Sequence, residues 1–177
     1  MIPTFSPAYV CLLVLYFLAD TSTNKIKIQK QWTASLLPFL NLSHILPPNP
    51  PSSPHHRLVF YFTVQPQHCN RLGTLHGGAA GTLFDLCTTL PLVLVSRPGF
   101  WQLLGVSRTL NVTYLRPAVV GTRVRIECEI VQVGKRVCTL RGVMRSAEEW
   151  EGEAGLVIGL CEHGKMNIDP GASAGKL

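Results

Sequence analysis

The chain has 177 residues, of which 46% are hydrophobic and 15% are charged, and its formal net charge is +6. This length suits one domain with extensions and is too short for two full domains, while the apolar share excludes a chain that is disordered throughout. The positive charge favours anionic partners. We do not expect nucleic acid as a partner, because the basic residues are scattered, without a Lys/Arg run or interleaved aromatic residues.

Residues 1–46 form an N-terminal extension whose apolar run, residues 8–19, is too short to cross a bilayer comfortably. No Lys or Arg precedes this run, and no clear cleavage site follows it, so it matches only half of a signal-peptide pattern. A targeting segment, a helix docked on the domain and a poorly ordered extension all stay open. Membrane association through this run is not expected. The proline-rich stretch 47–56 then predicts a linker.

Beyond the linker, residues 57–65 are rich in β-branched and aromatic side chains and predict a first strand, which Pro66 ends. From Thr74, a candidate N-cap, the spacing of apolar residues predicts a helix that has hardly any polar face. Other structure must therefore wrap this helix. We expect Pro91 to kink or end it.

Four further strands follow, and in each of them apolar and polar residues alternate. The predicted strands are 104–115, 122–132, 136–146 and 153–161. In the last of them the pattern places Ala154, Leu156, Ile158 and Leu160 on the inward face. Because short turns join antiparallel neighbours, we expect these four strands to form a meander, with the helix buried in the curve of the sheet. The predicted fold class is α+β.

The cysteines show neither a CxxC pair nor a histidine at zinc-finger spacing, so we do not expect a zinc site. No other metal and no cofactor is expected. They are Cys11, Cys69, Cys87, Cys128, Cys138 and Cys161. Most of them fall inside predicted helices or strands, where a free thiol behaves as a small buried hydrophobic group. This pattern favours a reducing, intracellular location, with cytoplasm or mitochondrion preferred.

Within the predicted helix, Asp85 is the only formal charge between Arg71 and Arg97. A lone carboxylate in apolar surroundings is costly to ionise unless a partner compensates it, so Asp85 is a candidate for chemistry. Gly77 stands where the helix begins. Its amide has no side chain to block a substrate and has the positive end of the helix dipole behind it, which suits acyl transfer.

Acyl transfer to water needs an activated water or a nucleophile, and donors that hold the oxyanion. We assign Asp85 as the general base or the attacking nucleophile. The Gly77 amide and Asn70 are assigned to the carbonyl oxygen, and His76 is assigned to position a neighbour. Each assignment has a structural alternative: Asp85 as a hydrogen-bonded core carboxylate, Asn70 as a turn residue, and His76 as a helix cap.

Gly77 and Asp85 are eight residues apart on one predicted helix, which places them roughly 12 Å apart along its axis. Reacting atoms must approach to about 3–3.5 Å, so the two residues cannot easily act on the same carbonyl. If two copies of the helix pack antiparallel about a two-fold axis, Asp85 of one subunit comes near Gly77 of the other. The distance therefore predicts a site formed between subunits.

Residues 57–165 resemble the hot-dog fold thioesterases of the phenylacetic-acid-degradation and acyl-CoA thioesterase 13 type. The resemblance rests on NRLGTLHGGAAGTLFD at 70–85, GVSRTLNVTYLRPA at 105–118 and the GKR turn at 134–136. It implies an antiparallel sheet wrapped around a long central helix, and a metal-free homodimer or homotetramer that hydrolyses acyl-CoA. It also implies that Ser107 helps the aspartate to hold the water.

Gly78, Arg116, Lys135 and Arg136 complete the predicted substrate-binding set, the three basic residues as candidates for the phosphates of coenzyme A. We expect residues 57–165 to form the catalytic domain and residues 166–177 to be a flexible tail. Two other functions stay open: a non-catalytic acyl-CoA binding protein and a hot-dog dehydratase. The resemblance does not cover the first 56 residues.

Overall fold

The computed structural model of the protein describes residues 32–50, 53–148 and 155–170. The apolar run at 8–19 and most of the predicted tail lie outside these ranges. The described strands are β1 (Leu40–Leu46), β2 (Arg57–Thr63), β3 (Val106–Tyr114), β4 (Arg123–Val133), β5 (Val137–Ser146) and β6 (Val157–Met166). The helix α1 spans Gly77–Thr89.

The strands form one antiparallel sheet in the order β1-β2-β4-β5-β6-β3. The predicted meander is therefore correct for β4, β5 and β6 and wrong for β3, which lies at the far edge beside β6. The reason is the connection after β3. Instead of turning into a hairpin, it pairs with the loop that leads into α1, where Leu75 N donates to Ala118 O and Val120 N donates to Gly73 O.

The register of β6 also differs from the prediction. In its pairing with β5, Met144 lies opposite Gly159 and Arg145 lies opposite Val157, so Ile158 is an extra residue that forms a β-bulge. Because a slip of one residue exchanges the two faces of a strand, the bulge turns Leu160 outward and Cys161 inward. The inward placement predicted for Leu156 and Leu160 is wrong, since both are exposed.

The sheet extends into the predicted N-terminal extension. Strand β1 pairs with β2, and its residue Leu40 is buried in the core. The indole of Trp32 donates a hydrogen bond of 2.8 Å to Thr82 on α1. The proline-rich stretch 47–56 thus connects two paired strands of one sheet. The predicted boundaries of extension, domain and tail stay predictions.

The core lies between α1 and the sheet. Leu83 and Phe84 of the helix are fully buried, as are Phe60 of β2 and Ile126 of β4, so the predicted wrapping of the helix is confirmed. The apolar stretch Gly77–Leu94 is long enough to span a membrane by length and composition, but half of it is buried inside the protein. Four free cysteines in helix and strand are buried, as predicted: Cys87, Cys128, Cys138 and Cys161.

The structure confirms the predicted C-terminal end of α1 but not its predicted N-cap. The helix gives way to a 3-10 turn at Leu90–Leu94, which contains Pro91, so the predicted end is confirmed. At the other side the N-cap is His76 rather than Thr74, because the His76 ring accepts a hydrogen bond from Gly78 N. The Thr74 side chain is instead bonded to Asn70.

The close approach of α1 to β5 depends on Gly142. A Cβ at this position would lie 2.8 Å from Thr88 Cγ2 and 2.9 Å from Phe84 Cδ1. We expect Gly142→Ala to lower the free energy of unfolding by about 1–3 kcal/mol, because overpacking moves helix and sheet apart. Urea denaturation measures this. The matched control is Gly81→Ala on α1, where the Cβ has space, and it is expected to stabilise the protein by up to about 1 kcal/mol.

Candidate active site

The carboxylate of Asp85 projects from the middle of α1 and is about half exposed, with 46% of the side chain accessible. Its Oδ1 accepts a hydrogen bond of 2.6 Å from the Ser107 hydroxyl on β3. Solvent therefore reaches the carboxylate, while Ser107 holds its Oδ1. The structure brings these two predicted site residues together, and their catalytic roles stay predictions.

A histidine that sequence reasoning missed lies directly behind this pair. The ring of His163 on β6 is completely buried, and its Nε2 lies 2.9 Å from Ser107 Oγ and 3.3 Å from Asp85 Oδ1. Its Nδ1 lies 2.7 Å from the Thr88 hydroxyl. Asp85 thus has a polar layer beneath it that joins three elements, α1, β3 and β6.

Lys165, two residues further along β6, is also buried and donates a hydrogen bond of 3.0 Å to Thr89 Oγ1. Burial lowers the pKa of Lys165, while the nearby Asp85 carboxylate acts in the opposite direction. Burial, together with the Lys165 charge, also lowers the pKa of His163 to about 4, against the opposing effect of Asp85. The His163 ring is therefore neutral at pH 7.

This shift makes the stability of the protein depend on pH. The unfolded chain protonates His163 near pH 6.5, whereas the folded protein resists protonation until about pH 4. Between these values the unfolded state binds more protons, so the free energy of unfolding should fall as the pH falls, by up to about 3 kcal/mol. Urea titrations at pH 7 and pH 4.5 measure this. His163→Gln should show a smaller drop, and equal drops would contradict the assignment.

The start of α1 presents two glycine amides, and only one of them is free among the described residues. The Gly78 amide donates to His76 Nδ1 at 2.9 Å, so it is occupied by the helix cap. The Gly77 amide is one of the first N–H groups of the helix, which have no partner within the helix itself. His76 therefore acts as the cap that its structural alternative predicted, and Gly77 keeps a free donor.

Tyr114 on β3 covers the other side of Gly77 and donates a hydrogen bond of 2.8 Å to its carbonyl oxygen. A Cβ at Gly77 would lie 3.5 Å from the Tyr114 ring, an ordinary contact distance. Packing within the described residues thus does not require a glycine at this position. The missing side chain instead leaves the free amide open.

Asn70 organises the turn before α1. Its Oδ1 accepts from the Leu72 and Thr74 amides at 2.9 and 3.3 Å, and its Nδ2 donates to Thr74 Oγ1. Gly73 takes a positive φ of 71° in this turn. Asn70 is therefore a turn residue, as its structural alternative predicted, and one hydrogen of its amide group has no bond to described residues. Its role on a carbonyl oxygen stays a prediction.

The three basic candidates do not come together in one chain. The Arg116 guanidinium donates to Val157 O at the start of β6, whereas the Lys135 and Arg136 carbonyls accept from Asn167 just beyond its end. A strand of ten residues separates these positions by about 30 Å. Their assignment to the phosphates of coenzyme A stays a prediction, and within a single chain they lie at opposite ends of β6.

The central part of the chain is similar in sequence to known proteins. Residues 72–152 match the family model described as the thioesterase superfamily. Acyl-coenzyme A thioesterase 13 from Mus musculus is 39% identical over 79 residues, which are 45% of this chain and 54% of the mouse protein. The chain thus spans about half the length of the relative that it matches.

Solved structures cover more of the chain. A crystal structure of zebra fish thioesterase superfamily member 2 superposes with a TM-score of 0.66 and 23% identity, over 92% of this chain and 99% of that one. A hypothetical thioesterase from Streptococcus pneumoniae, solved with coenzyme A, gives a TM-score of 0.57 and 17% identity, over 72% and 84%. These likenesses confirm the predicted α+β hot-dog fold.

Proposed function

We propose that this chain, whose residues 72–152 match the family model of the thioesterase superfamily, hydrolyses acyl-CoA thioesters to a free acid and coenzyme A. The observation that carries the proposal is that one helix bears both a half-exposed carboxylate, which Ser107 holds, and a free glycine amide at its start. Asp85 supplies the base, and Gly77 supplies the donor for the oxyanion.

The proposed reaction begins when one O–H bond of a water molecule breaks and its proton goes to Asp85. The water oxygen bonds to the thioester carbonyl carbon, and the carbonyl electron pair moves onto oxygen, where the Gly77 amide and the helix dipole stabilise it. The C–S bond then breaks as the carbonyl reforms. The coenzyme A sulfur takes back the proton from Asp85, which restores the base.

The site is formed between two subunits in this proposal. Gly77 and Asp85 lie roughly 12 Å apart along α1, which is too far for both to act on one carbonyl. The outer edge of β3 pairs with no described strand and carries exposed apolar residues, among them Val106, Leu110 and Tyr114. Because an open edge strand is a template for pairing, β3 of a second copy can extend the sheet about a two-fold axis.

The same two-fold symmetry would bring basic residues of the two subunits close together. Arg116 lies at the end of the sheet where α1 begins, since Ala118, two residues later, accepts from Leu75 before the helix. In an antiparallel dimer the partner subunit's Lys135 and the partner subunit's Arg136 approach this end. Basic side chains from both subunits would then face the phosphates of one coenzyme A.

The full-length protein tests the proposal in a thiol-release assay with acyl-CoAs of short, medium and long chain and with an aryl acyl-CoA. Hydrolysis requires equal amounts of free thiol and free acid. Tight binding without thiol release would instead indicate a non-catalytic acyl-CoA binding protein. Interconversion of enoyl-CoA and 3-hydroxyacyl-CoA without release would indicate a dehydratase.

A further inference from the structure

A continuous line of four short polar contacts runs from the Asp85 carboxylate into the core. Ser107 Oγ lies 2.6 Å from Asp85 Oδ1, and His163 Nε2 lies 2.9 Å from Ser107 Oγ. Thr88 Oγ1 lies 2.7 Å from His163 Nδ1 and 2.6 Å from the Phe84 carbonyl oxygen. The proposed mechanism uses only the first of these contacts, so the other three need an explanation.

While Asp85 is ionised, the side chains of this line carry fewer hydrogen atoms than the line has contacts. The Ser107 hydroxyl, the neutral His163 ring and the Thr88 hydroxyl each carry one hydrogen, which gives three hydrogens for four contacts. Thr88 and His163 are completely buried, so bulk water does not supply a fourth. One contact in the line lacks a hydrogen in this state.

The position of the missing hydrogen follows from the strength of the acceptors. An ionised carboxylate is the strongest acceptor in the line, so Ser107 donates to Asp85. His163 then donates from Nε2 to Ser107, and Thr88 donates to His163 Nδ1. The contact between Thr88 and the Phe84 carbonyl is left without a hydrogen.

Protonation of Asp85 supplies the missing hydrogen. Asp85 that takes the proton on Oδ1 donates to Ser107, Ser107 donates to His163 Nε2, His163 donates from Nδ1 to Thr88, and Thr88 donates to Phe84 O. Ser107, His163 and Thr88 now each donate in the opposite direction along the line, and all four contacts are hydrogen bonds. A buried polar contact that lacks its hydrogen is costly, so the complete line favours the state in which Asp85 holds the proton.

We propose that the line of hydrogen bonds from Asp85 through Ser107, His163 and Thr88 reverses its direction when Asp85 takes the proton from water. The proposal rests on the proposed function, in which Asp85 is the base. His163 and Thr88 are completely buried, so they are positioning residues, which act on the reaction through Asp85. No proton is gained or lost over the cycle, because Asp85 passes the proton from water to the coenzyme A sulfur. The line of hydrogen bonds then regains its original direction.

Among the described residues, few titratable groups lie next to the His163 ring. On its own face of β6 it is flanked by Cys161 and Lys165, and from α1 it meets Asp85. The residues opposite it on the neighbouring strands are Leu140 of β5 and Leu110 of β3, neither of which titrates. Asp85 is therefore the acid whose protonation the His163 ring should report.

Nitrogen-15 NMR of the His163 ring tests the reversal without any substrate. In the wild-type protein the ring hydrogen should move from Nε2 to Nδ1 as the pH is lowered from 7 and Asp85 takes up a proton. In Asp85→Asn the side chain at position 85 cannot take up that proton, so the ring should keep one tautomer over the same pH range. A wild-type ring that keeps its tautomer, or a change that persists in Asp85→Asn, would overturn the proposal.

Kinetics of Thr88 variants test the effect on turnover. Thr88→Val keeps the shape of the side chain but removes the hydroxyl, and kcat should fall about five- to tenfold with KM changed by less than about twofold. The dependence of kcat on the deuterium fraction of the solvent should change from curved to linear, because fewer protons move together. Thr88→Ser retains the hydroxyl and should retain both properties.

Equal kcat and equal isotope dependence in the Val and Ser variants would contradict a role for the line in turnover. Absence of thiol release by the wild-type protein would instead contradict the proposed function. The NMR titration would still decide whether the line reverses, so the two failures are distinguishable.

Discussion

Asp85→Asn is expected to lower kcat by about 10²- to 10⁴-fold, the range typical for the loss of a general base. The amide has the shape of the carboxylate, and its oxygen can still accept from Ser107, but it cannot take a proton from water. Thiol release from acyl-CoA measures the loss. The affinity for coenzyme A should stay within about threefold of wild type, because Asp85 acts on the water rather than on the nucleotide.

The matched control is Glu162→Gln, which neutralises an exposed carboxylate on β6 and should leave kcat within about twofold. Oxygen labelling separates a base from a nucleophile. In H₂¹⁸O, a general base directs the label into the product acid and leaves Asp85 unlabelled. Turnover by Asp85→Asn at the wild-type rate would remove Asp85 from the mechanism, and label in Asp85 would make it the nucleophile.

The parts of the fold that were predictable are those in which local pattern decides the structure. The alternation of apolar and polar residues predicted β4 and β5, and their apolar residues Ile126 and Leu140 are buried. Pro91 marked the end of the helix because it cannot continue a hydrogen-bonded turn. Pairing between distant segments leaves no such local signature. The position of β3 beside β6, and the bulge at Ile158, depend on contacts with strands far away in sequence.

The candidate site was likewise predictable only where a local pattern marked its residues. Asp85 was evident as a single charge in an apolar helix, and the family resemblance pointed to Ser107. His163 was missed because the predicted strand ended at residue 161, where polar residues begin to alternate inward. Since histidine and lysine seldom occupy buried positions, the sequence around His163 and Lys165 resembles an exposed turn. Only the pairing of β6 with β3 brings His163 to Ser107.

Gly77→Pro is expected to lower kcat by about 10²- to 10³-fold, because it removes the free Gly77 amide at the start of α1. Proline is well tolerated at the first position of a helix, and the ψ of 136° at His76 suits a residue before proline. Gly77→Ala is the matched control. It keeps the amide, and its kcat should exceed that of Gly77→Pro by at least about tenfold. Equal kcat values would mean that the amide does not hold the oxyanion.

Mixing the two defective chains tests whether the site lies between subunits. A dimer of one Asp85→Asn chain and one Gly77→Pro chain has one site with both groups intact and one site with neither. If subunits associate at random, half of the dimers are mixed, and activity should recover to about one quarter of the wild-type value. A site contained within one chain gives no recovery, because each chain then lacks either its base or its oxyanion donor. Co-expression with two affinity tags isolates the mixed dimer, whose activity should be about half of the wild-type value.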